Sequence, residues 1–254
     1  MCLKKFVVVM SVVLAMAGIA SGAARAPIHI GSVEELQRIG HDAAYPLNGY
    51  YVLTNDIDAS HTAQWHDGAG FAPIGQRLED DDSRAFNGWF DGQGYRIHGL
   101  VINRPDEKGV GLFGSIGKAA VVVNLILEDV TVTGNDYVGS LTGENWSVEV
   151  AACFASATVS GRSRVGAFIG INRGLIEACE ADGEVRGELY VGGLVGRNYR
   201  GTVLDCYAEA AVSGGSWVGG LVGQTVNGAV YDSAWDITRS GITVSDGGVG
   251  VIAD

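Results

Sequence analysis

Positive charge is scarce in this chain: 17 Lys and Arg stand against 29 Asp and Glu, a formal net charge of −12. A surface so poor in cations repels nucleic acid and anionic membranes, and no basic cluster in the sequence compensates, which argues against a nucleic-acid partner. Histidine is absent after His98, and the five His present are scattered. No His-Glu-x-x-His metal motif, Walker phosphate loop or nucleophile elbow occurs, so the motif-borne chemistries have no foothold. Long apolar runs are missing too. The longest, Phe6 to Ile19, has fourteen residues, short of the roughly 20 a spanning helix needs. Cysteine is limited to four residues, one of them Cys2.

The early apolar run has its own reading. Lys4 and Lys5 precede it and Ser21-Gly22-Ala23-Ala24 follow it, the basic head, short apolar centre and small-residue exit of a secretory signal. Residues 1–23 are expected to be that signal, cleaved near Ala23, and the protein to be secreted or held at the cell surface with no transmembrane segment left. Removing them leaves 15 basic against 29 acidic residues, a net charge of −14.

What the chain has in abundance is repetition. Tyr190-Val191-Gly192-Gly193-Leu194-Val195-Gly196 returns as Tyr137-Val138-Gly139-Ser140-Leu141-Thr142-Gly143, as Arg164-Val165-Gly166-Ala167-Phe168-Ile169-Gly170 and as Trp217-Val218-Gly219-Gly220-Leu221-Val222-Gly223, with a shorter copy at Gly111-Leu112-Phe113-Gly114. From Leu112 through Leu141, Phe168 and Leu194 to Leu221 the steps are 29, 27, 26 and 27 residues. A fixed period of this size marks a solenoid. Each copy is rich in Val, Ile, Gly, Thr and Ser, and runs such as Val203-Leu204-Asp205-Cys206-Tyr207 read with the period-two alternation of a strand. A coil of strands and turns follows, with equivalent positions stacked ~4.8 Å apart. Columns of like residues are then expected. Cys153, Cys179 and Cys206 form one, with Leu125 before and Ser233 after. Val132, Val159, Val185 and Val212 form a second, and Gly134, Gly161, Gly187 and Gly214 a third. Asn145, Asn172 and Asn198 form a fourth that ends at Thr225. The Asn column reads as an internal ladder that satisfies turn backbone.

The Gly-Leu-Val-Gly phrase, the Cys column and the closing Ser233-Ala234-Trp235-Asp236, Ser240-Gly241 and Gly247-Gly248-Val249-Gly250 resemble the GLUG-repeat family of bacterial surface and secreted proteins. The upstream phrases Tyr51 to Asp58, Phe71 to Gly75 and Phe86 to Gly94 are similar to the leader that precedes such repeats, so the resemblance covers roughly residues 30 to 250. It implies a β-solenoid with an adhesin-like, non-catalytic role, such repeats also occurring beside the protease domain of some immunoglobulin-cleaving peptidases.

The fold expected is all-β, a right-handed parallel β-helix of ~8 coils of ~27 residues. The cap and first coils occupy 24–108, the repeat coils 109–236 and a Gly-rich cap or tail 237–254. Gly31 to Asp42 reads as a helix, with Ser32 as N-cap and Glu35 completing a capping box. Its place is over the first coil, whose exposed edge would otherwise template aggregation. Tyr50 to Ile57 reads as the first strong strand, Trp89 to Ile102 as strands broken at a Gly-rich turn, and His61 to Ser83 as a loop whose acidic run Glu79 to Asp82 is solvated. Trp235 is large enough to plug the last coil. The three Cys remaining after processing point into one interior stack, which favours buried free thiols over a bridge between adjacent coils, and a single ladder gives a metal no tetrahedral closure.

Two functional readings compete. The residue before each Val-Gly pair is Tyr137, Arg164, Tyr190 or Trp217, and if Val points inward this column points outward. It then offers rings and a guanidinium to glycans or surface proteins, or it merely shields the sheet by stacking on itself. The alternative is a carbohydrate-active enzyme, since Asp91-Gly92-Gln93-Gly94 is similar to the turn that opens β-helix lyases and hydrolases. Its site would lie at Asp56, Asp58 and Asp91, where calcium binding is a further option, and those three carboxylates would have to converge. The paired Asp, Gly-His-Gly and Arg-Ile-Lys elements of such enzymes are missing, and Thr131-Val132-Thr133, which occurs once, is too little for ice binding. No enzyme activity, cofactor or metal is expected.

Overall fold

The computed structural model describes residues 26–76 and 81–252; the expected signal at 1–23, and Glu79 and Asp80 of the acidic run, lie outside the described residues. The chain winds as a parallel β-solenoid. An eight-stranded sheet runs from Ile28–Ile30 to Ala229–Tyr231, a twelve-stranded sheet from Ile57–Asp58 to Val249–Val251, and a five-stranded sheet from Phe113–Ile116 to Val222–Val226. Eight strands in the first sheet mean eight coils.

Register along that first sheet shows where the period becomes strict. Ile28 pairs with Tyr51, Tyr51 with Phe90 and Phe90 with Val122, giving steps of 23, 39 and 32 residues. Val122, Val150, Ile176, Val203 and Val230 then follow at 28, 26, 27 and 27. The 39-residue coil carries the stretch expected to be loop, and part of it is a 3-10 segment, Ser60–Gly68, broken where His66 and Asp67 adopt positive φ.

The predicted columns stand. Val132, Val159, Val185 and Val212 are register partners in turn, and all are buried. Each fully buried aliphatic of this kind stabilises the coil stack by roughly 1.5–3 kcal/mol. A Cβ on Gly134, Gly161, Gly187 or Gly214 would come within 2.8 to 2.9 Å of a Cγ2 of Val138, Val165, Val191 or Val218, so this Gly column is what lets the second Val column pack. The three thiols are free and buried. Each sulfur lies against the carbonyl two residues back, at 3.2 Å from Ala151 O, 3.3 Å from Glu177 O and 3.2 Å from Leu204 O for Cys153, Cys179 and Cys206. Ser233 Oγ donates to Tyr231 O in the same way at 2.7 Å, which explains why Ser ends a Cys column.

Coil corners are where period-two reading fails. Val203 to Tyr207 is not one strand: Thr202–Leu204 and Tyr207–Ala208 belong to different sheets, and Asp205 between them has φ 49°. The same left-handed position recurs at Asn124, Ala152, Ala178 and Asp232, with φ 47–55°. It precedes each residue of the Leu-Cys-Ser column and turns the chain from one sheet into the next. The repeated Gly phrase makes the other corner. A Cβ on Gly170, Gly196 or Gly223 would sit 2.5 to 2.7 Å from the backbone N of Val138, Val165 or Val191 one coil back, closer than any side chain tolerates. A Cβ on the leading glycines Gly166, Gly192 and Gly219 would fall within 2.0 to 2.2 Å of the carbonyl oxygens of Ile169, Val195 and Val222.

The ends are covered differently. The helix is Val33–Arg38, shorter than 31–42, because Ile39 is already extended. Ser32 Oγ accepts from Glu35 N at 3.3 Å, while Glu35 Oε2 accepts from Gly31 N at 2.8 Å, one residue before the usual capping-box donor. Val33, Leu36 and Ile39 are buried in the core as expected. At the other end Trp235 is buried and donates from Nε1 to Ile242 O at 2.8 Å. The stretch after it is built, not a plain tail: Asp236 caps a helical turn at Ile237–Ser240, and Val249–Val251 adds a strand to Ala234–Asp236. Among the described residues no helix is long and apolar enough to cross a membrane.

Candidate binding surface

The stripe Tyr137, Arg164, Tyr190 and Trp217 sits where the second sheet turns into the third. Its neighbours on either side are stacked partners: Asp136 with Ser163 and Val138 with Val165, then Leu189 with Ser216 and Val191 with Val218. The stripe residues themselves have φ 58°, 56°, 56° and 56°. The column is thus turned outward by a left-handed kink repeated in four coils, and strand alternation alone does not describe it. Holding a non-glycine residue there is strained, and the close approach of Gly170, Gly196 and Gly223 to the same backbone over-determines it.

The side chains stack on one another. The Arg164 guanidinium carbon lies 4.8 Å from the Tyr137 ring centre and 5.5 Å from that of Tyr190. The rings of Tyr190 and Trp217 are 6.3 Å apart at 32°. Tyr137, Arg164 and Tyr190 are half-buried by this contact, and Trp217 is 55% exposed.

A second column, which sequence reasoning passed over, joins the first. Trp146, Arg173 and Tyr199 each follow a ladder asparagine directly, and Arg197 precedes one. The 27- and 26-residue spacing was available in the sequence, one position away from Asn145, Asn172 and Asn198. Arg197 spans the two columns at 5.1 Å from the Tyr190 ring and 5.5 Å from Tyr199. Arg173 lies 4.3 Å from Trp146 and 5.5 Å from Tyr199. Arg200 covers Tyr199 at 5.2 Å and Lys118 approaches Trp146 at 5.7 Å. Cation–π contacts of this type give about 0.5–1 kcal/mol each at exposed sites. The result is a belt of cations and rings that runs over five coils, from Lys118 to Trp217.

Beneath the belt the asparagine ladder fixes the third sheet. Asn145 Nδ2 donates to Asn172 Oδ1 at 2.8 Å and Asn172 Nδ2 to Asn198 Oδ1 at 3.0 Å. All three are fully buried, and the register continues to Thr225 as expected.

Asp56, Asp58 and Asp91 do not come together. Asp91 is in the first sheet, where it accepts from Gln93 N at 2.9 Å and Asn124 Nδ2 at 3.1 Å. Asp58 is in the second sheet, 3.6 Å from His98 Nε2, with its carboxyl held below the usual range by hydrogen bonds from Ser60. Asp56 accepts from Arg96 N at 3.0 Å. Turn and strand-end bonding therefore account for all three. Among the described residues no group of three or more His, Cys, Asp or Glu could hold a metal ion.

Comparison with known proteins adds to this geometry. Residues 187–213 match the sequence profile described as the GLUG motif, which is the coil from the Gly column at Gly187 through the stripe residue Tyr190 to the Val column at Val212. Halomucin of Haloquadratum walsbyi is 39% identical over 152 residues, 59% of this chain and 2% of halomucin. A "putative Gly-rich membrane protein" of Evansella cellulosilytica is 38% identical over 120 residues, 46% of this chain and 13% of that protein. The chain thus spans a small part of the curated relatives it matches. The crystal structure of a "putative immunoglobulin A1 protease" from Bacteroides ovatus superposes with a TM-score of 0.66 at 18% identity, over 89% of this chain and 84% of the other, a likeness of fold. The profile match and the stacked columns agree, and the chain carries the GLUG motif at residues 187–213 within a stack of equivalent coils.

Proposed function

We propose that the protein is an exported, non-catalytic module that works at a cell surface or outside the cell and holds glycans or surface proteins through the column Tyr137, Arg164, Tyr190 and Trp217. The observation that carries this reading is the column itself. Four coils spend a strained left-handed residue to turn large rings and a guanidinium outward, and the last ring is left 55% exposed. A core has no use for that arrangement, and rings stacked along a flat face suit sugars and peptide side chains. The surface-type relatives support the location. The enzyme alternative lacks support from its own candidate residues, because Asp56, Asp58 and Asp91 are divided between sheets and engaged in turn bonding. Glycan-array binding of the processed chain tests the reading, with Tyr190→Ala and Trp217→Ala as controls. Binding that both substitutions weaken supports it; binding untouched by either removes the column from the function.

A further inference from the structure

We propose that the belt takes an acidic polysaccharide, with uronate carboxylates or sulfates set on its guanidiniums and sugar faces on its rings. This rests on the binding reading above and names the ligand class for that site.

The argument is one of charge allocation. On a chain of net charge −12, the described cations elsewhere are, Arg84 apart, spent on carboxylates: Arg38 on Asp42, Arg96 on Glu128, Arg104 on Glu107, Arg162 and Lys108 on Asp136, Arg186 on Glu184, Arg239 on Asp182. Within the belt Arg173 is matched in the same way, 3.3 Å from Glu144. The side-chain cations of Lys118, Arg164, Arg197 and Arg200 form no ion pair among the described residues and face rings instead, although the Lys118 backbone N donates to Asp82 Oδ2 at 3.2 Å. Arg164 uses one Nη to reach Ser163 Oγ at 3.2 Å, and the Nε atoms of Arg164 and Arg197 are buried without a hydrogen-bond partner. A guanidinium placed over a ring without a carboxylate keeps Nη donors for an incoming anion.

Four unmatched cations gathered over four coils match a polymer with a charge at intervals better than a single anion. The rings between them match the apolar faces of sugar units. A neutral glycan would leave the cations unused, whereas at physiological salt, where the Debye length is about 8 Å, the belt's own cations dominate what a bound anion meets and more distant carboxylates are screened.

The test is calorimetric titration of the processed chain with oligogalacturonate and with a neutral galactose oligomer of the same length. The proposal expects the acidic oligomer to bind at least tenfold tighter, with affinity falling as salt rises. Arg197→Gln and, at the exposed edge of the belt, Arg200→Gln should each weaken it several-fold, and Arg186→Gln, outside the belt, should leave it unchanged. Thermal melting of every variant shows that the coils are intact. Equal binding of the two oligomers overturns the acidic-ligand proposal and leaves the glycan-binding reading standing. Acidic binding lost equally in Arg186→Gln and Arg200→Gln overturns the site assignment, since only bulk charge would then matter. Failure of both oligomers to bind removes the glycan reading with it.

Discussion

Asn172→Ala is the substitution whose cost can be worked most closely from the structure. Asn172 is fully buried at the centre of the asparagine ladder. Its Oδ1 accepts from Asn145 Nδ2 at 2.8 Å and from Gly174 N at 3.1 Å. Its Nδ2 is shared among Asn198 Oδ1 at 3.0 Å, Gly174 O at 3.2 Å and Thr202 O at 3.3 Å. Truncation strands Asn145 Nδ2 and Asn198 Oδ1 in the interior and takes the acceptor from the half-buried Gly174 N. A buried polar group left unpaired costs about 1–3 kcal/mol, so the two buried ones cost roughly 2–6 kcal/mol. For a domain of this size 1 kcal/mol moves Tm by about 2–4 °C, and the expected drop is on the order of 10 °C. Thermal melts and urea unfolding followed by circular dichroism measure it. Thr225→Ala, at the ladder's partly exposed end where Thr225 Oγ1 reaches Asp246 O at 2.7 Å, should cost about 1 kcal/mol. If the two substitutions cost the same, or if Asn172→Ala loses less than about 1 kcal/mol, the ladder is not what holds the third sheet together.

Gly196→Ala should destabilise by several kcal/mol, because its Cβ would meet Val165 N at 2.5 Å and the backbone cannot give way, whereas Gly94→Ala, with φ 77° and open space around it, should cost about 1 kcal/mol; parallel melts of the two compare them. Trp235→Ala should cost about 3–5 kcal/mol from the lost core packing, while the exposed Trp217→Ala should leave Tm within about 2 °C. Burial, aided by the neighbouring Cys153 and Cys206, pushes the Cys179 thiol up, and burial does the same to the Tyr51 hydroxyl. Both groups are raised in the folded state, so the unfolded chain gives up these protons first. Stability is whole below the ordinary thiol value of about 8.5 and declines as pH climbs through that value and then that of tyrosine, about 10. Urea midpoints from pH 7 to 11 follow this, and a midpoint that holds or rises contradicts it.

The coil count, the Val, Gly, Cys and Asn columns and the N-terminal cap were legible because each depends on one residue type recurring at one spacing. Two features were not. Corners at Asp205 and its column are made by backbone dihedrals that Ala152, Ala178 and Asp205 adopt alike, and no side chain advertises them, so Val203 to Tyr207 read as a single strand. The second half of the belt escaped for a different reason: Trp146, Arg173 and Tyr199 share a place and not a chemistry, and only the contacts of Arg173 with both rings, and of Arg197 with Tyr199, show that they belong together. The outward stripe was legible as a column, and its self-stacking through Arg164 was the blander of the two readings the sequence offered. The early coils, with steps of 39 and 32 residues, carry no period to read.

Every inference about the belt depends on coils stacked in register. Thr131, Thr158, Glu184 and Ala211 are successive partners on the exposed face of the second sheet, while the native thiols are buried. Thr158→Cys with Glu184→Cys should cross-link rapidly with a short dithiol reagent in the folded protein, and Thr131→Cys with Ala211→Cys, three coils apart, should not. Equal cross-linking of the two pairs, or none in the adjacent pair, would contradict the stacking on which the account stands.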